Sequence, residues 1–216
     1  MTSFHITFIE PQKKYPHRRN IYLDDAFAFG LDEEVVLKHH LHEGDIISES
    51  IIQHILLEEE AVRARKKAMS LLSYRARSVK EIRSLLHKKG YDENIVEPLV
   101  QDLIRVGLLN DESFASAYVQ TRLVQRPVSK RLLIYELKKK GIKEALAVKA
   151  VTIGYGEKSE VEVAQSLIES RIKKYQHGDR LKNRKRISDF LIRRGFDWEI
   201  INAVLRWKEK LDERIS

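Results

Sequence analysis

The chain has 216 residues, 43% of them hydrophobic and 33% charged, which gives enough apolar content for a buried core and sets it apart from disordered chains. It has no cysteine, so disulfide scaffolds, thiolate metal centres and a cysteine nucleophile are excluded. Forty Lys and Arg stand against 32 Asp and Glu, a net +8 that favours an anionic partner without choosing between nucleic acid, membrane surface and acidic protein.

The first 19 residues become charged too early for a signal-peptide core. No stretch approaches the ~20 apolar residues of a membrane span, so a cytoplasmic protein without membrane contact is expected. Residues 1–57 hold 5 basic and 9 acidic side chains, whereas 58–109, 110–156 and 157–216 carry net +3, +5 and +4. Only this first segment has strand signals. Residues 4–9 and 20–29 are rich in β-branched and aromatic types and are joined by a stretch with Pro11 and Pro16. They predict a small hairpin or three-stranded sheet confined to the first ~30 residues. Asp32, Glu33 and Glu34 then suit the first turn of a helix, with Gly44 as its stop.

From Ser50 onward the periodicity is helical, and an internal repeat emerges when Gly90, Gly141 and Gly195 are aligned. Four residues before each glycine stands Leu86, Leu137 or Leu191, and eight before stands Ile82, Leu133 or Ile187, one apolar helical face. Twelve before stands Ser78, Ser129 or Asn183 as a predicted N-cap, with Glu81 completing a capping box at the first. A second helix follows each glycine, beginning near Tyr91, Ile142 or Phe196. A third helix precedes each pair, over 68–77, 111–124 and 161–175. Pro98 falls inside the last helix of the first unit and should kink it or delay its start.

The expected fold is therefore mainly α: three tandem three-helix units in an elongated, monomeric body, preceded by a small sheet-plus-helix segment. The corresponding domains are 1–57, 58–109, 110–156 and 157–216.

Ten residues before each glycine, Lys80, Arg131 and Lys185 should face away from the apolar stripe, ~160° around the helix from the residue eight before it. As the second residue of its helix each would meet the positive end of the helix dipole, a cost of ~0.3–1 kcal/mol that a partner surface would explain. Lys88, Lys89, Lys139, Lys140, Arg193 and Arg194 close the same helices, where capping charge and partner contact are competing explanations. Between 171 and 194 lie ten basic residues against Asp179 and Asp189, among them Arg171, Lys173, Lys174, Arg180, Lys182, Arg184 and Arg186. These sixteen cations are the candidate filament or DNA-binding residues, and the alternative for them is an ordinary solvated face. No arginine–aromatic interleaving suited to stacking unpaired bases is evident.

Other motifs are weaker. His39-His40-x-His42 lacks a fourth ligand nearby, so no metal is expected. Gly154 to Ser159 imitates a phosphate loop, but Glu157 interrupts it and no strand precedes it, which favours a linker. Trp198 and Trp207 fit core or cap positions better than a ligand box. No catalytic residues and no cofactor are expected.

The repeats resemble the RecX regulatory proteins, modulators of the bacterial recombinase RecA. The resemblance is carried by residues 68–122 and 130–142: Arg75, Ser78, Glu81, Lys88, Gly90 and Tyr91 in the first unit, then Gly107, Leu108, Leu109, Asn110, Asp111, Phe114 and Ala115 at the junction. The N-terminal segment looks like the β-containing arm of longer members, and the basic insert at 173–186 departs from the pattern. The resemblance implies helical repeats that lie in the groove of a RecA–DNA filament and restrain recombination and coprotease activity, in DNA repair and the SOS response. The residues alone leave open a general nucleic-acid-binding helical-repeat protein and a protein-interaction scaffold.

Overall fold

The computed structural model describes residues 2–172, 175 and 179–215, and divides at Leu109/Asn110 into two compact units. The first unit begins with β1 (Ser3–Pro11), β2 (Arg18–Leu23) and β3 (Ala26–Asp32), followed by α1 (Glu33–Lys38), β4 (Ile46–Ser48) and α2 (Glu49–Tyr74). The strands form one antiparallel sheet in the order β3-β2-β1-β4.

Three sequence expectations are corrected in this segment. Residues 20–29 are not one strand, because Asp24 and Asp25 take φ of 47° and 65° and turn the chain between Leu23 and Ala26. Two successive left-handed residues match the twist of the flanking strands, as in a type I′ hairpin. The sheet also reaches beyond residue 30, since β4 pairs with Ser3–His5; three residues are too few to leave a periodic signal. Finally, α1 ends at Lys38 with His39 as C-cap, while Gly44 lies beyond it and donates its N–H to the Ile6 carbonyl at 2.8 Å.

Ile6, Ile21, Leu31, Val35 and Ile47 pack against Ile55 of α2 to form the core of this segment. Two ion pairs with buried carboxylates, Glu59 and Asp32, sit beside it. Arg18 Nη1 donates to Glu59 Oε1 at 2.7 Å, and Glu59 Oε2 accepts from the Asp32 N–H at 2.6 Å. Lys66 Nζ holds Asp32 Oδ2 at 2.5 Å. Burial raises the Asp32 pKa, but the Lys66 contact and the Glu34 N–H outweigh it, so the net shift is downward.

The 26-residue α2 crosses the 57/58 division and includes the helix expected from residue 68, so sheet segment and first repeat share one element. Ala64 and Ala68, both fully buried, let α3 (Val79–His87) and α4 (Glu93–Arg105) approach it. Pro98 lies inside α4 without delaying its start at Glu93, and it leaves the Asn94 carbonyl without the usual amide partner.

The second unit comprises α5 (Asp111–Gln125), α6 (Lys130–Lys139), α7 (Glu144–Tyr155), α8 (Glu160–Glu169), α9 (Arg180–Ile192) and α10 (Trp198–Ile215). The three aligned glycines take φ of 89°, 89° and 81°, and the amides of Tyr91, Ile142 and Phe196 return to the carbonyls of Leu86, Leu137 and Leu191 at 3.3, 3.1 and 3.2 Å. This is the Schellman closure, which a side chain at the glycine would strain. The apolar offsets are buried in every repeat.

Gly154 does more than punctuate: it lies in α7, where an added Cβ would fall 2.3 Å from Val119 Cγ1 of α5. Gly156 ends α7 and Ser159 caps α8, so this stretch is the expected linker. The third repeat differs from expectation. Its first helix stops at Glu169 rather than 175, and α9 starts a turn early at the Asp179 cap, leaving Asn183 inside the helix, where it donates to the Tyr175 carbonyl at 3.2 Å. Of the two positions expected for the tryptophans, Trp198 takes the helix terminus, opening α10 with 58% exposure, and Trp207 packs against the core.

Candidate functional site

The cations singled out by the repeat fall into distinct environments. Lys80 and Arg131 are exposed at the second residue of α3 and α6, as the helical wheel requires. Lys185 is exposed too, but it is the sixth residue of α9, so it carries no first-turn dipole cost. Arg131 is also compensated. Its Nη2 lies 3.4 Å from the Gly195 carbonyl, at the C-terminal end of α9, where partial negative charge gathers. The dipole argument for a partner surface therefore weakens at two of three repeats.

The close approach behind this contact depends on Gly195. The Ser129 N–H donates to the Arg194 carbonyl at 3.0 Å, and a Cβ on Gly195 would lie 2.7 Å from both Leu132 Cβ and Ser129 Oγ. The start of α6 is thus seated on the end of α9, joining the second and third repeats.

The helix-closing cations divide as well. Lys88, Lys89 and Arg193 are exposed, with Lys88 and Arg193 as C-caps. Lys139 lies over Tyr135, 5.0 Å from the ring centre, and half-buried Lys140 lies 5.2 Å from Tyr118 and 5.8 Å from Phe114. Arg194 departs from an outward role: it is buried, donates to the Pro127 carbonyl at 2.5 Å, and stacks 4.8 Å from Phe190. Burial, reinforced by Arg126, Arg171 and Arg122, pulls its pKa below the usual arginine value.

Within the basic block, Arg180 and Arg184 share Glu209 at 3.7 and 2.7 Å, which partly neutralises them. Lys182 and Arg186 are exposed. Lys173 and Lys174 lie outside the described residues. Arg171 lies over the Phe190 ring, 4.6 Å from its centre, and lines two open hollows, one of about 340 Å³ with Arg186 and Arg193, the other of about 730 Å³ with Lys158 and Arg194. This pairing of two arginines on Phe190 escaped the sequence reading, because the ring is only one residue removed from apolar periodicity and its partners are 19 residues upstream and four downstream. Phe190 is itself buried, so it offers no platform for a base.

Lys88, Lys89, Lys182, Lys185, Arg186 and Arg193 make no ion pair among the described residues. They are, among the candidate cations of the first and third repeats, the exposed ones that no carboxylate within the described residues neutralises.

Comparison with known proteins covers the whole arrangement. Models for the N-terminal domain of regulatory protein RecX and for the first, second and third RecX three-helix domains match residues 4–48, 64–103, 110–151 and 158–205. The chain is 30% identical to the regulatory protein RecX of Clostridium perfringens (strain 13) over 203 residues, covering 93% of this chain and 94% of that one. It is 32% identical over 213 residues to the namesake from Bacillus cytotoxicus, covering 96% and 78%. A crystal structure of regulatory protein RecX superposes with a TM-score of 0.68 at 25% identity, covering 93% of this chain and 98% of the other. RecX from Lactobacillus salivarius gives 0.59 at 27% identity, covering 69% and 96%. Among the described residues no helix is long and apolar enough to cross a membrane. With its sheet segment and all three helical repeats matched in order, the chain belongs to the RecX family of regulatory proteins.

Proposed function

We propose that this protein is a cytoplasmic, monomeric regulator that binds the RecA–DNA filament and inhibits recombinase and coprotease activity, by contact rather than catalysis. The observation that carries the reading is the set of exposed cations without internal carboxylate partners, Lys88, Lys89, Lys182, Lys185, Arg186 and Arg193, on a chain of the RecX family. Such cations, in each unit by itself, suit the phosphates of single- or double-stranded DNA held within a protein filament, where backbone contacts position without reading sequence. Lys80 and Arg131, exposed at the second residue of α3 and α6, are further candidate contacts, each within its own unit.

Co-sedimentation with RecA, with DNA and with both tests the proposal. Pelleting with the filament should persist at salt that strips the protein from bare DNA. Equal pelleting with bare DNA and with the filament would instead make this a general nucleic-acid binder. Glu at Lys80, Arg131 and Lys185 together should weaken filament binding and flatten its salt dependence while the helical circular dichroism is retained.

A further inference from the structure

We propose that His39, His54 and Glu58 form a binding site for a divalent transition-metal ion, with zinc as the best-matched member. His39 caps the end of α1, while His54 and Glu58 stand one turn apart on α2, so two elements present ligands to one point. His39 Nε2 lies 2.8 Å from Glu58 Oε2, and His54 Nε2 lies 3.5 Å from Glu58 Oε1. All three ligand atoms fall within 4.8 Å of one another. The imidazoles meet edge to face, 5.7 Å between centroids and 81° between planes, which lets their nitrogens converge without the rings stacking.

Tetrahedral zinc, with bonds of ~2.0–2.2 Å, places neighbouring ligand atoms ~3.3–3.5 Å apart, a spacing these side chains reach by small rotations. Two neutral imidazoles and one carboxylate are a borderline donor set of the kind zinc favours, and they leave a fourth position for water. The recess is half sheltered: the side chains of His39 and Glu58 are 19% and 25% exposed. Lys38 Nζ holds Glu58 Oε1 at 2.9 Å and must let go when the metal binds; its side chain is 65% exposed and swings readily into water. Binding would clamp the end of α1 onto α2, the helix that continues into the first repeat.

Sequence spacing pointed to His39-His40-x-His42 and found no completing ligand, whereas the fold replaces His40 and His42 with two residues from another helix. The proposal does not rest on the filament reading.

The test is titration of the metal-free full-length protein with Zn²⁺ by calorimetry, with Co²⁺ absorption reporting coordination. One equivalent should bind and raise the thermal midpoint. His54→Ala and Glu58→Gln should each weaken binding at least tenfold and abolish the thermal shift. His42→Ala, at a side chain 74% exposed and outside the trio, should change neither. Lys38→Ala should tighten binding several-fold by removing the competing cation. His54 is 63% exposed, so its variant should fold, and circular dichroism checks this. No binding with Zn²⁺ raised to about 100 μM, far above the level that saturates structural zinc sites, or binding that survives His54→Ala and Glu58→Gln, overturns the proposal.

Discussion

In the sheet segment, Arg18, Arg19, Lys38 and Lys66 each face a carboxylate, on Glu59, Glu33, Glu58 and Asp32 respectively. In the first and third repeats, Lys88, Lys89, Lys182, Lys185, Arg186 and Arg193 stand exposed with no such partner among the described residues. The first region uses these charges internally, with Arg18–Glu59 and Lys66–Asp32 fastening the sheet to α2 beside its apolar contact through Ile55. The repeats also pair some cations, such as Arg83 with Glu97 and Arg122 with Glu136, but they close on apolar faces and backbone caps, which leaves these six available to a partner. A region's net charge therefore says less about binding than the fraction of its charges already engaged.

Removing a sheet-segment charge should have the largest effect. Glu59→Ala leaves the Arg18 guanidinium and the Asp32 N–H without their buried acceptor, and should cost about 3 kcal/mol in urea unfolding. A loss under ~1 kcal/mol would mean that the fastening is apolar after all.

The repeats should instead be most sensitive at their closures. Gly195→Ala combines left-handed strain with the collision against Leu132 and Ser129 and should cost about 2–3 kcal/mol. At Gly90 the strain is similar but a Cβ meets nothing within 4 Å, so Gly90→Ala should cost about 1 kcal/mol. Equal losses at the two glycines would show that strain dominates and that the seat of α6 on α9 contributes little.

Acid should distinguish the two regions next. The folded pKa of Asp32 is lowered, so its stabilisation is present above the unfolded value of ~3.9 and is lost as pH falls through that value toward the folded one. Unfolding free energy measured from pH 6 down to 3 should fall less steeply in Asp32→Asn than in the parent. An unchanged slope would locate the acid-sensitive charge elsewhere, for example at Glu136, whose pKa is also lowered: burial raises it, but bonds from Arg122 and Tyr118 prevail.

The smallest effect is expected at Arg131→Glu. At the second residue of an isolated helix this change should stabilise by ~0.3–1 kcal/mol. Here the new carboxylate would also face the Gly195 carbonyl at the end of α9, so the net change should stay within a few tenths of a kcal/mol of zero. A full stabilisation would show that the contact with α9 is not maintained in solution.

The sequence by itself determined the repeat. Glycines 90, 141 and 195, their apolar offsets and the caps at Ser78 and Ser129 are local features, because helical period and capping depend on residues within a few positions of each other. Most of the basic surface was legible for the same reason: an outward position follows from the inward ones. Tertiary structure decided whatever depends on distant pairing. The three-residue β4 exists because β1 offers it an edge, and the turn at Asp24 and Asp25 divides a stretch whose composition reads as one strand. Arg194 is buried because Phe190 and the Pro127 carbonyl accept it, although its neighbour Arg193 in the same basic pair remains outside. His39 meets His54 and Glu58 only once α1 folds back on α2. Local periodicity fixes which face of a helix turns inward, and only the packing of distant segments decides which charge on the outward face meets a partner of its own.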